Sequence, residues 1–293
     1  MRKHAYLFII AAAGLWGLIG LFVRSLNAAG FTALHIVMLR TIVSAAGITL
    51  LFFKYGFQHA RINWRDSWMF IGTGILSLTF FNYCYFNSIQ LTSLAVAALL
   101  LYTAPIFVML MSVIFFGEKF TPLKGVALLC TFIGCACVTG ALEGELNLSL
   151  TGLLYGLGSG FGYALYSIFG KYAVEKKYSS LTISAYTFYF AFLAAIPLVR
   201  PDSAFFAKIT FETIPAILGL GIVAAVIPYI FYTQGLKSVE PGKASIIATF
   251  EPVVASLVGV FAFAEPLTLA KLTGMALILS SVVLLNMPRG KGA

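Results

Sequence analysis

A single carboxylate and a proline lie side by side within a long apolar stretch, in the segment IATFEPVVA at residues 247–255. A carboxylate near the centre of a bilayer costs roughly 2.5–3.5 kcal/mol on insertion scales, so such residues usually face a cavity or a partner. Glu251 is therefore a candidate contact for a substrate or for a transported proton. The alternative is a structural ion pair with Arg40, which lies well inside another apolar stretch.

Two prolines in apolar stretches are candidate helix breaks, or hinges. Pro252 has no backbone N–H and so leaves the carbonyl of Ala248 without its helical donor, as Pro105 does for Leu101. A carbonyl freed at membrane depth is tolerated where it faces water, a ligand or another polar group. The two prolines therefore predict walls of one central cavity, with ordinary kinked helices as the alternative.

Aromatic and amide side chains accompany these features in the apolar stretches. Large rings with polar ends suit a cavity that holds a small organic molecule reversibly, and with a carboxylate they would form a partial aromatic cage for an amine. The alternative is packing, or a location at the membrane interface, which tyrosine and tryptophan also favour. The candidate substrate-binding residues are Trp16, Asn82, Tyr83, Tyr85, Tyr102, Tyr163, Tyr166, Tyr229, Tyr232, Gln234 and Glu251.

Other reactive residue types form no recognisable site in the sequence. The four cysteines lie inside apolar stretches, and His4, His35 and His59 have no metal-ligand spacing, so we expect neither a metal nor a cofactor. Glu118 and Glu265 each lie beside a chain reversal, where we expect a structural role. Thr121 and the proline after it predict the cap and the first turn of the helix that follows Glu118.

The elements that must position these residues are predicted to be transmembrane helices. Of the 293 residues 60% are hydrophobic and 10% are charged, whereas soluble domains carry about a quarter charged residues. The apolar blocks are continuous and do not alternate as barrel strands would. We therefore predict an all-α polytopic membrane protein with ten spans, over residues 5–26, 31–54, 68–89, 91–114, 124–141, 150–172, 180–199, 212–236, 243–263 and 270–287.

The scattered basic residues predict the orientation of the chain, and they form no patch that would bind nucleic acid. With ten spans and cytoplasmic termini, the outer side holds only Arg24, Arg200, Lys208 and Lys271, and Arg40 lies within a span. The other fourteen face the cytoplasm, as the positive-inside rule requires: Arg2, Lys3, Lys54, Arg61, Arg65, Lys119, Lys124, Lys171, Lys176, Lys177, Lys237, Lys243, Arg289 and Lys291. We predict a multi-pass protein of the cytoplasmic (inner) membrane.

A sparse internal repeat relates the two halves of the chain. A shift of 147 residues aligns Trp16 with Tyr163, Pro105 with Pro252, Glu118 with Glu265 and Lys124 with Lys271. The predicted domains are residues 1–146, with helices 1–5, and residues 147–293, with helices 6–10. Because five is odd, the second copy must enter the membrane from the opposite side. Inverted-topology repeats are typical of secondary transporters, whose substrate site lies near the midplane between the copies.

Four segments carry a family resemblance: AGLWGLIGLF, MLRTIVSAA, YTAPIFVMLMSVIFFGEKFTPLKGVALLCTFIGC and FEPVVASLVGVFAFAEPLTLAKLTGMALIL. Through them the chain resembles EamA-type members of the drug/metabolite transporter superfamily over essentially its whole length. The resemblance implies a ten-helix carrier that works by alternating access, with a cavity lined mainly by helices 1, 3, 4, 6, 8 and 9. It fixes the substrate less well, because that family transports amino acids, nucleosides, amines, nucleotide sugars and drugs.

Together these features predict a secondary transporter that moves a small organic metabolite, such as an amino acid or an amine, across the cytoplasmic membrane. The resemblance favours export. We do not expect an enzyme; the alternatives are a lipid-modifying membrane enzyme and a channel. The expected partners are the solute and the lipid bilayer, with the chain as a monomer or weak homodimer. Proton coupling through Glu251, with Arg40 as a second charge, is a hypothesis.

Overall fold

The computed structural model describes residues 2–141, 149–199 and 203–286. The predicted boundary between the repeats at 146/147 lies outside the described residues, as do Arg200, Arg289 and Lys291 from the charge argument. Throughout these three described ranges the regular structure is helical, without a β-strand. The predicted all-α class therefore agrees with the structure.

Ten helical segments of at least 18 residues lie within the described ranges. We label them α1 (His4–Ala28), α2 (Ala33–Tyr55), α3 (Trp64–Leu91), α4 (Leu94–Phe116), α5 (Pro122–Thr139), α6 (Leu150–Glu175), α7 (Ser180–Val199), α8 (Ile214–Leu236), α9 (Pro241–Phe263) and α10 (Leu269–Asn286). A short helix, Ser203–Ala207, precedes α8.

Eight of these helices are long and apolar enough to cross a membrane, namely all except α6 and α10. The glycines, tyrosines and serines of α6 lower its hydropathy although it has 26 residues. The apolar part of α10, Leu269–Leu285, is shorter than the other spans. The chain is thus a multi-pass membrane protein, and the count of ten spans stays a prediction.

Helix breaks recur in the two halves at the predicted shift of 147 residues. In α4 one helix runs over Leu94–Leu101 and the next over Ala104–Phe116. In α9 the corresponding helices are Pro241–Ala248 and Glu251–Phe263. Pro105 and Pro252 each take the second position of the second half-helix, where a missing N–H costs no helical hydrogen bond. The two proline motifs therefore produce the same local structure.

A widened, π-helical turn pattern also recurs at this shift. It covers Gly72–Thr79 in α3 and Gly219–Val226 in α8. Each π-helical segment packs against a helix of the other half: that of α3 on α7, and that of α8 on α2. Such segments are rare in α-helices and occur frequently at functional sites.

Contacts between the two halves are reciprocal. The ring of Phe169 covers Gly72, and the ring of Phe22, which the shift aligns with Phe169, covers Gly219. Likewise α1 packs on α8 while α6 packs on α3. A two-fold relation between the halves would produce reciprocal contacts of this kind. The aligned pair Trp16 and Tyr163 has ring centroids 6.3 Å apart, so these two residues lie where the halves meet.

The glycine-rich helix α6 lies close to α3 and α4. A Cβ added to Gly156 would lie 2.9 Å from the hydroxyl of Ser88, and one added to Gly160 would lie 2.8 Å from the carbonyl oxygen of Leu100. Real Cβ atoms do not approach so closely, so the glycines allow this contact. The packing holds α6 at the centre of the molecule, where it contributes Tyr163 and Tyr166 to the site described below.

Candidate functional site

The break in α9 places Glu251 at the start of a half-helix. The first half ends at Ala248, and Glu251 lies in the first turn of the second half. Backbone N–H groups in a first turn have no helical partner, and the helix dipole there stabilises a negative charge. At the aligned break in α4, the second half-helix begins with Ala104 instead of a glutamate. The two breaks therefore share their geometry, but only that of α9 carries a charge.

The carboxylate of Glu251 is half-buried and has one weak hydrogen-bond partner in the described part of the chain. The hydroxyl of Tyr163 donates a hydrogen bond to Oε2 at 3.4 Å. Among the described residues, no Lys, Arg or His nitrogen lies within the 4.0 Å of an ion pair. The ion pair between Glu251 and Arg40, the structural alternative for this carboxylate, is thus not formed in this structure. Glu251 keeps most of its hydrogen-bonding capacity for a further partner.

An aromatic cavity lies where the two halves of the chain meet, with lining residues from both halves. Its lining consists of rings and two serines: Trp16, Ser77, Phe81, Tyr163, Tyr166, Ser167, Tyr229 and Tyr232. The rings contact one another edge to face, with centroids of Trp16 and Tyr229 5.4 Å apart and of Phe81 and Tyr163 5.7 Å apart. Edge-to-face pairs of this kind are the favoured aromatic arrangement and fix the ring positions.

A second cavity, the acidic cavity, adjoins the first. It is lined by Leu101, Tyr102, Ala104, Pro105, Val108, Tyr163, Ser167, Ser245, Ala248, Thr249 and Glu251. Tyr163 and Ser167 belong to both linings, so we call the two together the central cavity. Both helix breaks form its wall. In this structure each of the two cavities is wide enough for a water molecule but too narrow for an organic solute.

Hydroxyl pairs hold α6 against α8 beside the aromatic cavity. The hydroxyls of Ser167 and Tyr232 are 2.8 Å apart, as are those of Tyr166 and Thr233. All four residues are buried, and a buried hydroxyl without a partner would cost about 1–3 kcal/mol. These pairs therefore keep the polar ends of the rings satisfied and orient the rings toward the cavity.

Arg40 lies behind the cavity wall and is only 9% exposed. Its Nη2 donates to the carbonyl of Ala224, within the π-helical segment of α8, at 3.1 Å. The guanidinium carbon lies 5.8 Å from the ring centroid of Tyr229, which does line the cavity. The Nε atom of Arg40 is buried and has no hydrogen-bond partner among the described residues. Arg40 thus braces α8 through a backbone carbonyl, and neither cavity lining includes it.

Neither lining includes four of the predicted binding residues: Asn82, Tyr83, Tyr85 and Gln234. The amide of Asn82 donates to the carbonyl of Leu78 in its own helix at 2.6 Å. Gln234 accepts a hydrogen bond from Ser180 at 3.0 Å. Tyr83 is 45% exposed on the outer surface of α3. The other seven predicted residues line the central cavity, where substrate binding stays a prediction.

Four small hydroxyl residues of the lining are not among the binding residues predicted from the sequence. Ser77, Ser167, Ser245 and Thr249 face the central cavity but carry no distinctive motif. One signal was available for two of them. Ser245 and Thr249 are four residues apart, a spacing that puts both on one helix face, directly before Glu251.

An ionic group built on the buried pair of Glu118 and Lys124, which we call the Glu118 cluster, joins the end of α4 to the start of α9. Lys124 Nζ lies 2.6 Å from Glu118 Oε1 and 3.0 Å from Glu240 Oε2. The second oxygen of Glu118 accepts from the amide of Gly242 at 3.0 Å. Burial raises the pKa of Glu240, but the hydrogen bond and charge of Lys124 outweigh burial and lower that pKa below its usual value. The cluster closes this end of the molecule.

Aligned residues form a second group, the Glu265 cluster, at the other end. Glu265 pairs with Arg24 and, at 3.2 Å, with Lys271. The Arg24 guanidinium, followed by Lys271, lowers the pKa of Glu265 although burial acts the other way. The side chains of Glu265 and Arg24 are 31% and 52% exposed. Thr121 and Thr268 cap the helices that follow the two glutamates, so the predicted cap at Thr121 is confirmed.

Comparison with protein families gives a match over nearly the whole chain. The model of the EamA-like transporter family matches residues 3–140 and again residues 150–287. The two matches are themselves separated by 147 residues, the shift found from the sequence and from the helix bounds.

Individual relatives are named as transporters. The chain is 34% identical to an uncharacterized transporter of Archaeoglobus fulgidus over 72% of this chain and 75% of the relative. It is 23% identical to the uncharacterized transporter YwfM of Bacillus subtilis over 98% of this chain and 95% of the relative. A solved protein structure of 20% identity superposes with a TM-score of 0.83, covering 98% of this chain and 97% of the other.

Proposed function

Because the chain belongs to the EamA-like transporter family, we propose that it is a secondary transporter that exports a small organic metabolite across the cytoplasmic membrane by alternating access. The observation that carries this proposal is the central cavity, which lies where the two repeats meet and is walled by both broken helices. Secondary transporters bind their solutes at such broken helices between repeats. The direction of transport rests on the family resemblance.

Inverted repeats and ten spans form part of the proposal. The reciprocal contacts between the halves and the aligned helix breaks support a two-fold relation. With five helices in each repeat, such an axis lies in the membrane plane and the copies face opposite sides. In this arrangement α6 and α10 complete the second repeat as spans, and the Glu118 cluster faces the cytoplasm.

Unequal closure of the two ends supports alternating access. The half-helices Ala104–Phe116 and Pro241–Ala248 pack together beside the Glu118 cluster. Their aligned counterparts, Glu251–Phe263 and Leu94–Leu101, make few contacts with each other in the described part of the chain. A transporter closed to the cytoplasm has this arrangement. An exchange of the two packings would turn the cavity toward the other side.

Glu251 is the proposed coupling residue. A half-buried carboxylate that lines the cavity and has one long hydrogen bond can take up a proton or a solute cation in turn. A carrier in which the proton and the solute compete for this group moves them in opposite directions. Arg40 contributes by holding the π-helical segment of α8 in place.

Solute counterflow in proteoliposomes tests the proposal. Purified protein is reconstituted with a metabolite mixture inside, and uptake of each labelled metabolite from outside is measured with a matched protein-free control. An alternating-access carrier accumulates a labelled solute transiently above equilibrium when the same solute is trapped inside. A channel gives equilibration without that overshoot, and a lipid-modifying enzyme gives neither; either result would overturn the proposal.

A further inference from the structure

Building on the proposed transport function, we infer that the central cavity binds an amphiphilic organic monocation: an amine whose ammonium group contacts Glu251 and whose apolar body lies among the rings of the aromatic cavity. The inference names the solute class that the family membership leaves open. Three features of the central cavity support it: the charge of the lining, the position of the acidic cavity beside the aromatic cavity, and the position of Arg40.

The charge of the cavity lining favours a cationic solute. Glu251 is the only ionisable acid or base among the described residues that line the two cavities, tyrosines aside. Its carboxylate has one hydrogen bond, of 3.4 Å, and no cation within ion-pair distance in the described part of the chain. A carboxylate in a poorly solvated site is costly unless it is paired. A solute ammonium group would supply the missing partner.

The acceptors around Glu251 fit an ammonium group, which has only donors. Tyr102, Ser245 and Thr249 bring hydroxyl oxygens into the same acidic cavity. The hydroxyls of Ser245 and Thr249 already donate to helix carbonyls, at 2.9 Å and 2.5 Å. Their oxygens are therefore left as acceptors toward the cavity. Together with the carboxylate they can receive the N–H groups of one ammonium.

The aromatic cavity supplies the site of the apolar body. Tyr163 lies between the two halves, since it lines both cavities and donates to Glu251. Beyond it lie Trp16 and Phe81, whose rings each contact the ring of Tyr163, and then Tyr229, whose ring contacts that of Trp16. Ring faces attract a cation within about 6 Å and also bury apolar surface. A solute with a charged head and an apolar body therefore matches the order of groups along the cavity.

The position of Arg40 outside both linings favours a cationic solute over an anionic or zwitterionic one. A carboxylate on the solute would need a donor of positive charge in the lining, as guanidinium groups provide. Arg40 lies behind Tyr229 and donates to the carbonyl of Ala224, and neither lining includes it. The two linings therefore hold a counter-ion for an ammonium group, whereas the guanidinium that a solute carboxylate would need lies outside both of them.

Four probes of nearly equal size isolate the charge of the solute. Phenethylamine is a cation, 2-phenylethanol is neutral, 3-phenylpropionate is an anion and phenylalanine is a zwitterion. Binding of each to the purified full chain in detergent is measured by calorimetry. We expect phenethylamine to bind about tenfold or more tightly than the other three, since it alone gains a charge-assisted contact without an uncompensated carboxylate.

The variant Glu251→Gln keeps the shape of the side chain and removes its charge. We expect it to weaken phenethylamine binding about tenfold or more and to leave 2-phenylethanol unchanged. The control Glu212→Gln removes an exposed carboxylate from a turn outside the cavity and should change neither. The result with wild-type protein decides the inference even if Glu251→Gln does not fold.

Tighter or equal binding of phenylpropionate or phenylalanine would overturn the inference, as would the absence of binding by phenethylamine. Counterflow of the same probes separates this failure from failure of the proposed function. If proteoliposomes exchange phenylalanine but not phenethylamine, the chain is a transporter and the solute class is wrong. If phenethylamine binds but no probe or metabolite is exchanged, the site is a cation site and transport is wrong.

Discussion

The Glu118 cluster and the Glu265 cluster are built from aligned residues but differ in their surroundings. In each, a glutamate follows a broken helix and pairs with a lysine six residues later. The side chain of Glu118 is 1% exposed and also receives the amide of Gly242. Glu265 is 31% exposed and pairs with Arg24. The same motif thus takes a closed and an open form within one molecule.

We propose that the two clusters exchange their surroundings during transport. The residue aligned with Arg24 is Lys171, which in this structure donates to the carbonyl of Leu236 at 3.2 Å. The residue aligned with Gly242 is Ala95, in the first turn of α4. In the proposed alternating-access cycle, repeat symmetry predicts an opposite state in which Glu265 accepts from the amide of Ala95 and Lys171 approaches Glu118.

The largest expected effect comes from breaking the buried cluster. In Lys124→Met the carboxylate of Glu118 stays buried without its cation, and loss of one partner of a buried pair costs about 3–5 kcal/mol. The aligned variant Lys271→Met acts on a more exposed pair, for which we expect less than about 1 kcal/mol. The free energy of unfolding is measured for both in detergent. Equal losses would show that the two clusters do not differ in burial as described.

The two helix breaks also differ, because only α9 carries a charge. We expect Glu251→Gln to lower pH-gradient-driven solute uptake in proteoliposomes about tenfold, since it removes the proposed proton and cation contact. The control Glu212→Gln removes an exposed carboxylate outside the cavity and should leave pH-gradient-driven uptake at its wild-type rate. Full pH-driven uptake by Glu251→Gln would contradict a coupling role for the carboxylate.

A smaller effect is expected at the helix start that receives Glu118. A Cβ on Gly242 would lie 2.7 Å from Glu118 Oε1 and 2.8 Å from the Met109 side chain. Gly242→Ala should therefore destabilise the closed end by about 1–3 kcal/mol. Its aligned counterpart, Ala95→Gly, should cost no more than about 1 kcal/mol, through helix propensity alone. Thermal unfolding of both variants gives the comparison, and a larger loss for Ala95→Gly would contradict it.

The smallest effect concerns acid pH at the open cluster. The pKa of Glu265 is lowered in the folded state, so its contribution to stability is present above the unfolded-state pKa and is lost as pH falls through the folded-state pKa. Because the group is partly exposed, we expect less than about 1 kcal/mol. Arg24→Gln should reduce this acid-dependent loss. Stability measured from neutral to acid pH, with identical curves for variant and wild type, would contradict the pairing.

Much of the fold follows from the sequence. Continuous apolar blocks predicted the helices, because a helix that meets lipid on one side and protein on the other is apolar all round. Pro105 and Pro252 predicted both breaks, because proline removes a backbone donor. The π-helical segments were not predicted, since their sequences have the same apolar character as ordinary helices. Glycines within them indicate close packing but not the helix type.

The site was predictable in part for the same physical reason. Glu251 and most of the rings could be placed because a charge or a polar ring is rare and costly in an apolar stretch. The two linings leave out Asn82 and Tyr83, which the sequence could not specify because helical phase depends on neighbouring helices; a role of these residues in substrate binding stays a prediction. The contrast between the two clusters could not be foreseen. Their sequences are alike, and only the packing of the half-helices distinguishes them.

Distances across the two ends of the molecule test alternating closure most directly. In a background without the four native cysteines, one spin-labelled pair is placed at Lys119 and Ser238, beside the Glu118 cluster. The aligned pair is placed at Pro266 and Leu91, beside the Glu265 cluster. All four positions are exposed. Double electron–electron resonance then gives both distances, with and without Lys124→Met.

If the two clusters are alternative closures, Lys124→Met lengthens the distance from Lys119 to Ser238 and shortens the distance from Pro266 to Leu91. The aligned variant Lys271→Met leaves both distances near their wild-type values. Lengthening at both ends, or at the Glu118 end alone, would contradict alternating closure and leave the clusters as independent structural ion pairs.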